Sequence, residues 1–245
     1  MVYEDIGSFL NANTDDVVCF CVGTGGCASL ASNLVGSAGA AGLPVVLFAL
    51  DPAMADALQN DCDVVMHDTG SKVDPSKFYE YGSRRFREVI YQELLIGNEL
   101  LEHGKTLVCM DVDVVVKKDF RKDILRLHEA FPHDDSLFQS NGKGCCAGFY
   151  SIKPTKNSVG LFTQKFLDDN NYLSYGLQQQ FLNNRVFKKN LLSVQLLDRD
   201  AYPNGAHYYK NAERVDPVCK IIHFNCIVGE KKKINRMKKY GYWAP

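Results

Sequence analysis

TLVCMDVDVVV, residues 106–116, decides the fold class, because an unbroken apolar run delivers two carboxylates, Asp111 and Asp113, at its end. A strand with no polar interruption is one covered on both faces, as the strands of a parallel sheet are. Alternation along a strand puts residues two apart on one side, so both carboxylates are expected to face one point while Val112 turns into the core. Two hard oxygen ligands at the carboxyl end of a strand suit Mg²⁺ or Mn²⁺ beside a diphosphate, whose oxygens and water complete the cation's shell. A solvated turn with helix-capping acids would carry the same two residues, and this run alone does not choose between them.

Upstream, strand-like and helix-like segments alternate, the pattern of a parallel sheet covered by helices. Residues 17–22 (VVCFCV) and 43–50 are apolar runs and 62–66 a shorter one, each read as a strand. Small residues up to Ala41 suit a helix packed closely on that sheet. A long amphipathic helix opens at Ser83 and stops at Gly104, with Phe86, Ile90, Leu94 and Leu101 near helical spacing. Beyond the carboxylates the chain is less regular: strands are expected at 136–139, 147–152, 193–197 and 219–224, and helices near 156–167, 177–187 and 230–240. No repeat or Pro/Ser-rich linker divides the 245 residues, so a single α/β domain is expected, a mainly parallel central sheet flanked by helices.

Composition excludes several classes of function. Lys and Arg number 28 against 29 Asp and Glu, a net charge of −1 that gives the chain as a whole no electrostatic reason to bind nucleic acid. Nine cysteines, an odd number, sit partly inside apolar runs (Cys19, Cys21, Cys109) with no pair at zinc spacing, and read as unpaired residues of a reducing compartment. The opening MVYEDIGSFLNANTDD carries acids rather than a basic leader, and no apolar run reaches the roughly 18 residues of a membrane span. A soluble, cytoplasmic protein is expected.

Two further elements carry chemistry. Gly23-Thr24-Gly25-Gly26-Cys27-Ala28 follows the first strand and fits G-x-G-x-x-A, with Asp51 where a ribose-binding acid would stand. This suits a NAD(P)-dependent oxidoreductase, another nucleotide pocket, or a tight strand-to-helix turn with no ligand. Near the C-terminus, HFNCIVGEKK (223–232) delivers His223 as a further ligand for a cation, Gly229 to turn closely past an anion and Lys232 to pair with phosphate.

In order along the chain, LVCMDVDVVV, CAGFY (146–150) with Lys153-Pro154-Thr155, Gln179-Gln180-Phe181-x-Asn183, Asn204-Gly205 and the terminal HxN…GxxK with Tyr242-Trp243 resemble the nucleotide-diphospho-sugar transferases of the GT-A fold. The likeness is closest to the retaining group that includes plant cell-wall xylosyl- and arabinosyltransferases and their small relatives in bacteria and large algal viruses. It implies an enzyme dependent on Mn²⁺ or Mg²⁺ that moves a hexosyl or pentosyl unit from a nucleotide-sugar donor, a UDP-sugar in first place, to a hydroxyl of a glycan, glycoprotein or glycolipid. Residues of about 15–115 would bind the nucleotide sugar and 116–245 would complete the metal and acceptor sites.

By that resemblance Asp113 is the main metal ligand, Asp111 holds metal or donor ribose, and His223 completes the protein ligands. Gly229 and Lys232 meet the diphosphate, while Gly23, Thr24 and Gly25 line the nucleoside, with Asp51 reading base or ribose and Arg84 or Arg87 as cationic contacts. Related transferases commonly have Asp-Gln where this chain has Gln179-Gln180, so no carboxylate nucleophile is expected there and the Gln180 amide is the candidate to face the reacting sugar. Inversion would instead call for a carboxylate base, with Asp134 or Asp135 as candidates. YPNGAHYY (202–209) places aromatic faces suited to sugar rings, making Tyr202, His207 and Tyr208 the expected acceptor residues, unless the segment is a loop tucked against the sheet. The basic run KKKINRMKK (231–239) would suit a polyanionic acceptor, an anionic membrane surface, or a solvated helix face. An oxidoreductase leaves the DVD and HxN…GxxK elements without a role, and a non-catalytic carbohydrate-binding module has no need of a cation tethering a diphosphate.

Overall fold

The upstream apolar runs pair as one half of the sheet. In a computed structural model of the chain, which describes residues 1–67, 74 and 77–244, strands β1 (Val2–Tyr3), β2 (Val17–Gly23), β3 (Val46–Ala49), β4 (Asp63–Met66) and β5 (Thr106–Met110) lie parallel in the order β1-β4-β3-β2-β5. Between them come helices α1 (Ile6–Ala12), α2 (Ala28–Ala40), α3 (Pro52–Leu58) and α4 (Arg84–Glu102). Alternate residues of β2 serve opposite layers: Val18 and Phe20 pack with Leu94 and Leu101 of α4, Cys19 and Cys21 with Leu34 of α2 and Met54 of α3. Ser83 caps α4 by accepting from the Phe86 N–H at 3.1 Å, and Gly104 closes it at φ +75°, which glycine adopts without strain.

The second half is built from β6 (Val114–Val116), α5 (Arg121–Ala130), β7 (Ser136–Ser140), β8 (Cys145–Ile152), α6 (Gln164–Asp169), α7 (Tyr172–Tyr175), α8 (Gln178–Phe181), β9 (Val194–Leu196), α9 (Gly205–Val215), β10 (Ile221–His223) and α10 (Glu230–Lys239). β8 runs antiparallel beside β5, β7 and β9 extend the sheet to eight strands, and β6 and β10 form a separate antiparallel pair. The architecture is the expected one, an α/β domain with a mainly parallel sheet flanked by helices. Among the described residues no helix is long and apolar enough to cross a membrane.

Local chemistry explains where the elements differ from the sequence reading. The helix expected near 156–167 shrinks to α6, because the Thr155 N–H donates to the Ser158 hydroxyl and the Thr155 hydroxyl to Asp135, and Gly160 turns at φ +74°. The helix expected at 177–187 is α8 followed by a π-helical turn over Leu182–Phe187. α5 escaped notice because Ile124 and His128 are its only buried residues.

The connections after β2 lead away through β3 and β4, whereas β5 returns to the other side of β2. That reversal is a topological switch point, and ligands of open α/β sheets bind outside the carboxyl ends of the strands flanking it. Here the crevice opens between Thr24, after β2, and Asp111, after β5.

Candidate active site

Asp111 and Asp113 do not lie on a strand. β5 ends at Met110, and a turn closed by the Val114 N–H to the Asp111 carbonyl (3.0 Å) carries the pair before β6 begins. The turn, rather than strand alternation, makes the carboxylates converge, and Val112 is half-buried on the cavity wall instead of turning wholly inward. Pairing of β10 with β6 sets His223 opposite Val114, and the Phe224 N–H donates to the Asp113 carbonyl at 2.9 Å. The ladder therefore delivers His223 to the acids from the far end of the chain.

The buried His223 ring is oriented by Gln139. The Gln139 Nε2 donates to the Tyr202 carbonyl at 3.2 Å, so its Oε1 faces His223 Nδ1 at 2.8 Å and accepts from it. Nδ1 therefore carries a proton, and Nε2 is the ring atom turned toward the acids, able to ligate a cation that displaces its own proton. Asp111 Oδ2 lies 3.3 Å and Asp113 Oδ1 3.2 Å from Nε2, which has no hydrogen bond of good geometry. Ligand atoms around an octahedral ion bound at about 2.1 Å stand roughly 3 Å apart, so this donor set fits a divalent cation held by two carboxylates and one imidazole. Burial disfavours a charged ring, but Asp113 and Asp111 outweigh it and raise the His223 pKa well above its ordinary value. Asp113 is held well below the usual carboxylate range, with Lys233 and His223 outweighing its burial.

Gly148 of β8 makes the approach close: a Cβ there would lie 2.1 Å from His223 Cε1 and 2.4 Å from Asp111 Oδ2. The triad opens into a cavity of about 660 Å³, within the roughly 300–1,000 Å³ of small-molecule sites. Val22, Leu30, Phe78 and Ile90 give it apolar walls; Thr24, Gln179, Asn225, Gly229 and Lys233 add polar ones. Gly229 sits at φ +95° before the first turn of α10, and Lys233 pairs with Asp113 Oδ2. Glu93 of α4 is a buried acid on the same cavity wall, its carboxyl pushed up to about 7 by burial and then by the Asp111 charge.

Residues 43–237, more than half of the chain, match the model of the nucleotide-diphospho-sugar transferase family. The chain belongs to that family.

Among curated relatives of this chain, a UDP-galactose:fucoside alpha-3-galactosyltransferase of Dictyostelium discoideum is 29% identical over 66% of the chain and 29% of its own length. A UDP-D-xylose:L-fucose alpha-1,3-D-xylosyltransferase of Arabidopsis thaliana is 25% identical over 71% of the chain and 52% of its own length. The chain thus spans about a third to a half of these relatives. Among solved structures, a glycosyltransferase involved in glycosylation of the major capsid of PBCV-1 superposes with a TM-score of 0.58 at 10% identity, over 91% of this chain and all of that one. A galactosyltransferase solved with donor and acceptor sugar analogues gives 0.57 at 13% identity, over 84% and 86%. These structures share the fold, the GT-A arrangement expected from the sequence.

The remaining residues named from the sequence divide between the cavity and its framework. Thr24 and Gly229 line the cavity with the triad. Asp51 does not: it caps α3 by accepting from the Met54 N–H at 2.9 Å and also accepts from the Gly25 N–H at 2.9 Å. The acid that suggested a dinucleotide site is used to pin the glycine loop. A Cβ on Gly23 would meet Met54 at 2.4 Å and one on Gly26 the Lys77 carbonyl at 1.9 Å, so these glycines admit protein atoms rather than a phosphate. Arg84 is exposed and pairs with Glu88, and Arg87 does not line the cavity. Lys232 is exposed, one helical position away from Lys233, which points inward. Lys231, Lys238 and Lys239 are exposed on the same helix.

Gln180 is exposed outside the cavity, while Gln179 lines it and Gln178 donates to Glu93 at 2.8 Å. The acceptor residues are not met as expected. Asn204 caps α9, which takes up the supposed loop; Tyr202 and Tyr208 are 2% exposed, Tyr208 donating to Asp216, and His207 bonds Asp200 at 2.7 Å. Rings as deeply buried as those of Tyr202 and Tyr208 cannot stack on a sugar. Sequence reasoning missed Glu93, Gln139, Gly148 and Lys233. The first could have been found as an acid inside the apolar stripe of α4, and Gly148 as a glycine interrupting an otherwise continuous strand.

Proposed function

We propose that this transferase moves a hexosyl or pentosyl unit from a UDP-sugar to a hydroxyl of a glycan-bearing acceptor, with a divalent cation and with retention. The observation that carries this reading is the convergence of Asp111, Asp113 and His223 Nε2 at ligand spacing in a cavity that also holds Lys233 and Gly229. Mn²⁺ or Mg²⁺ held by those three residues would neutralise charge on the departing diphosphate. Lys233 adds a cationic donor, and the free N–H groups at the start of α10 favour an anion in the same place. Gln179 presents a neutral amide toward the sugar in the role the sequence reading gave to Gln180.

Retention follows the group that the sequence resembles, and Asp135, one of the two candidate bases for inversion, is engaged elsewhere. Among the described residues lining the cavity only Glu93, Asp111 and Asp113 are acidic. Asp135, a candidate base for inversion, is buried away from the cavity and accepts from Thr155, Asn157 and Ser193.

The test is hydrolysis and transfer with a panel of UDP- and GDP-sugars and Mn²⁺, with fucosides among the acceptors because the relatives' names specify them. Turnover of at least one UDP-sugar, abolished by a chelator, is expected; no turnover of any donor, with or without acceptor, would sink the reading. In the same assay Lys233→Ala should lower kcat/KM by roughly 10²–10³-fold, the scale of removing one preorganised donor from developing charge. Lys232→Ala should cost far less, and equal losses in the two variants would show that the register of α10 has been misassigned.

A further inference from the structure

Of the three acids on the cavity wall among the described residues, Glu93 alone has no part in holding the cation. Glu93 is 2% exposed, and the Tyr150 hydroxyl (2.9 Å) and Gln178 Nε2 (2.8 Å) both donate to its Oε1. Every one of these partners is neutral. Burying a carboxylate without a cation beside it is costly, and an apolar or amide side chain of similar volume would spare that cost. A carboxylate offers about four acceptor positions, so two donors, both on Oε1, leave positions on Oε2 for a molecule in the cavity.

What that molecule can be follows from the position. Glu93 reaches β8 through Tyr150 and α8 through Gln178, whereas the nucleoside side of the crevice lies at Thr24, after β2. A diphosphate is repelled by a carboxylate and drawn instead to Lys233 and the α10 N-terminus. A neutral ring bearing adjacent hydroxyls, each a donor, suits a carboxylate with unused acceptor positions.

Resting on the transferase reading above, we propose that Glu93 binds the donor sugar itself: its carboxylate accepts from hydroxyls of the transferred unit and so helps to choose which sugar is carried. Glu93→Gln keeps the shape and an acceptor for Tyr150 and Gln178, but turns a donor amide toward the cavity. Binding of UDP, UDP-galactose and UDP-xylose is measured by calorimetry with Mn²⁺. The variant is expected to bind UDP as the wild type does and the UDP-sugars ~10- to 100-fold more weakly, the scale of a hydrogen bond to a charged group. Glu93→Asp, which keeps the charge and withdraws it by one methylene, should show the same split if the amide disturbs folding.

An unchanged ratio of UDP-sugar to UDP affinity in both variants overturns the assignment, as does an equal loss for UDP and its sugars, which would make Glu93 a support of the cavity. If the wild type binds UDP with Mn²⁺ but neither variant alters sugar binding, the transferase reading stands without Glu93. If the wild type binds none of the three ligands, the transferase reading falls and this assignment with it.

Discussion

Asp113→Asn is expected to lower metal-supported turnover by ~10³-fold or more. A cation at a developing charge contributes several kcal/mol to the transition state, and each 1.36 kcal/mol is tenfold in rate. The substitution keeps the side-chain volume and removes one of the two anionic ligands, the one in contact with both His223 and Lys233. It also strips Lys233 of its partner in a largely buried place. Removing one member of a buried pair costs about 3–5 kcal/mol, so lost activity alone could reflect lost fold.

Two measurements separate these effects. Mn²⁺ at about 100 times its Kd should stabilise the wild type by about 2.7 kcal/mol, and Asp113→Asn should lose most of that shift. The double variant Asp113→Asn with Lys233→Met removes the stranded charge and should recover melting temperature without recovering turnover. Wild-type turnover and a wild-type Mn²⁺ shift in Asp113→Asn would refute the cation assignment.

What could be read from the sequence was whatever depends on burial and spacing within one segment. VVCFCV and TLVCM are continuous apolar runs because β2 and β5 are covered on both faces, and Ser83 and Gly104 mark α4 because caps are local chemistry. The pair Asp111 and Asp113 was legible for the same reason, although its convergence depends on a turn that no periodicity announces. Features made by contacts distant in the chain were not legible. Asp51 looked like a ligand because its partner, the Gly25 N–H, lies 26 residues back, and Tyr202 and Tyr208 looked exposed because Asn204 starts a helix between them. Lys232 and Lys233 differ by a single helical step. Starting α10 at Glu230 puts Gly229 and residue 233 four apart, on one face, which is the spacing that brings Lys233 rather than Lys232 to Asp113.

Gly148→Ala is expected to disable the site with little harm to the fold. Gly148 lies within β8, accepts from the Asp111 N–H at 2.9 Å, and has no positive φ that would penalise alanine. The added methyl would stand 2.1 Å from His223 Cε1, 2.6 Å from its Nε2 and 2.4 Å from Asp111 Oδ2. His223 cannot swing aside without breaking its bond to Gln139, which is itself buried and tied to the Tyr202 carbonyl. Asp111 is therefore the group that yields, and the two ligands part. Misplacing catalytic groups by about 1 Å can cost 10²-fold in rate, and a loss of at least that size is expected here, together with most of the Mn²⁺ affinity. Overpacking costs about 1–3 kcal/mol, offset by the ~0.4–1 kcal/mol that alanine removes from the entropy of the unfolded chain. The cation-free melting temperature should thus fall only by several degrees while the Mn²⁺-dependent rise disappears. Gly97→Ala, whose methyl would meet the Leu107 side chain at 3.3 Å and the Phe20 ring at 4.0 Å, is the matched control and should keep that rise. If Gly148→Ala binds Mn²⁺ as tightly as the wild type, then Asp111 and His223 do not share a cation, because no single ion could bridge both around the new methyl.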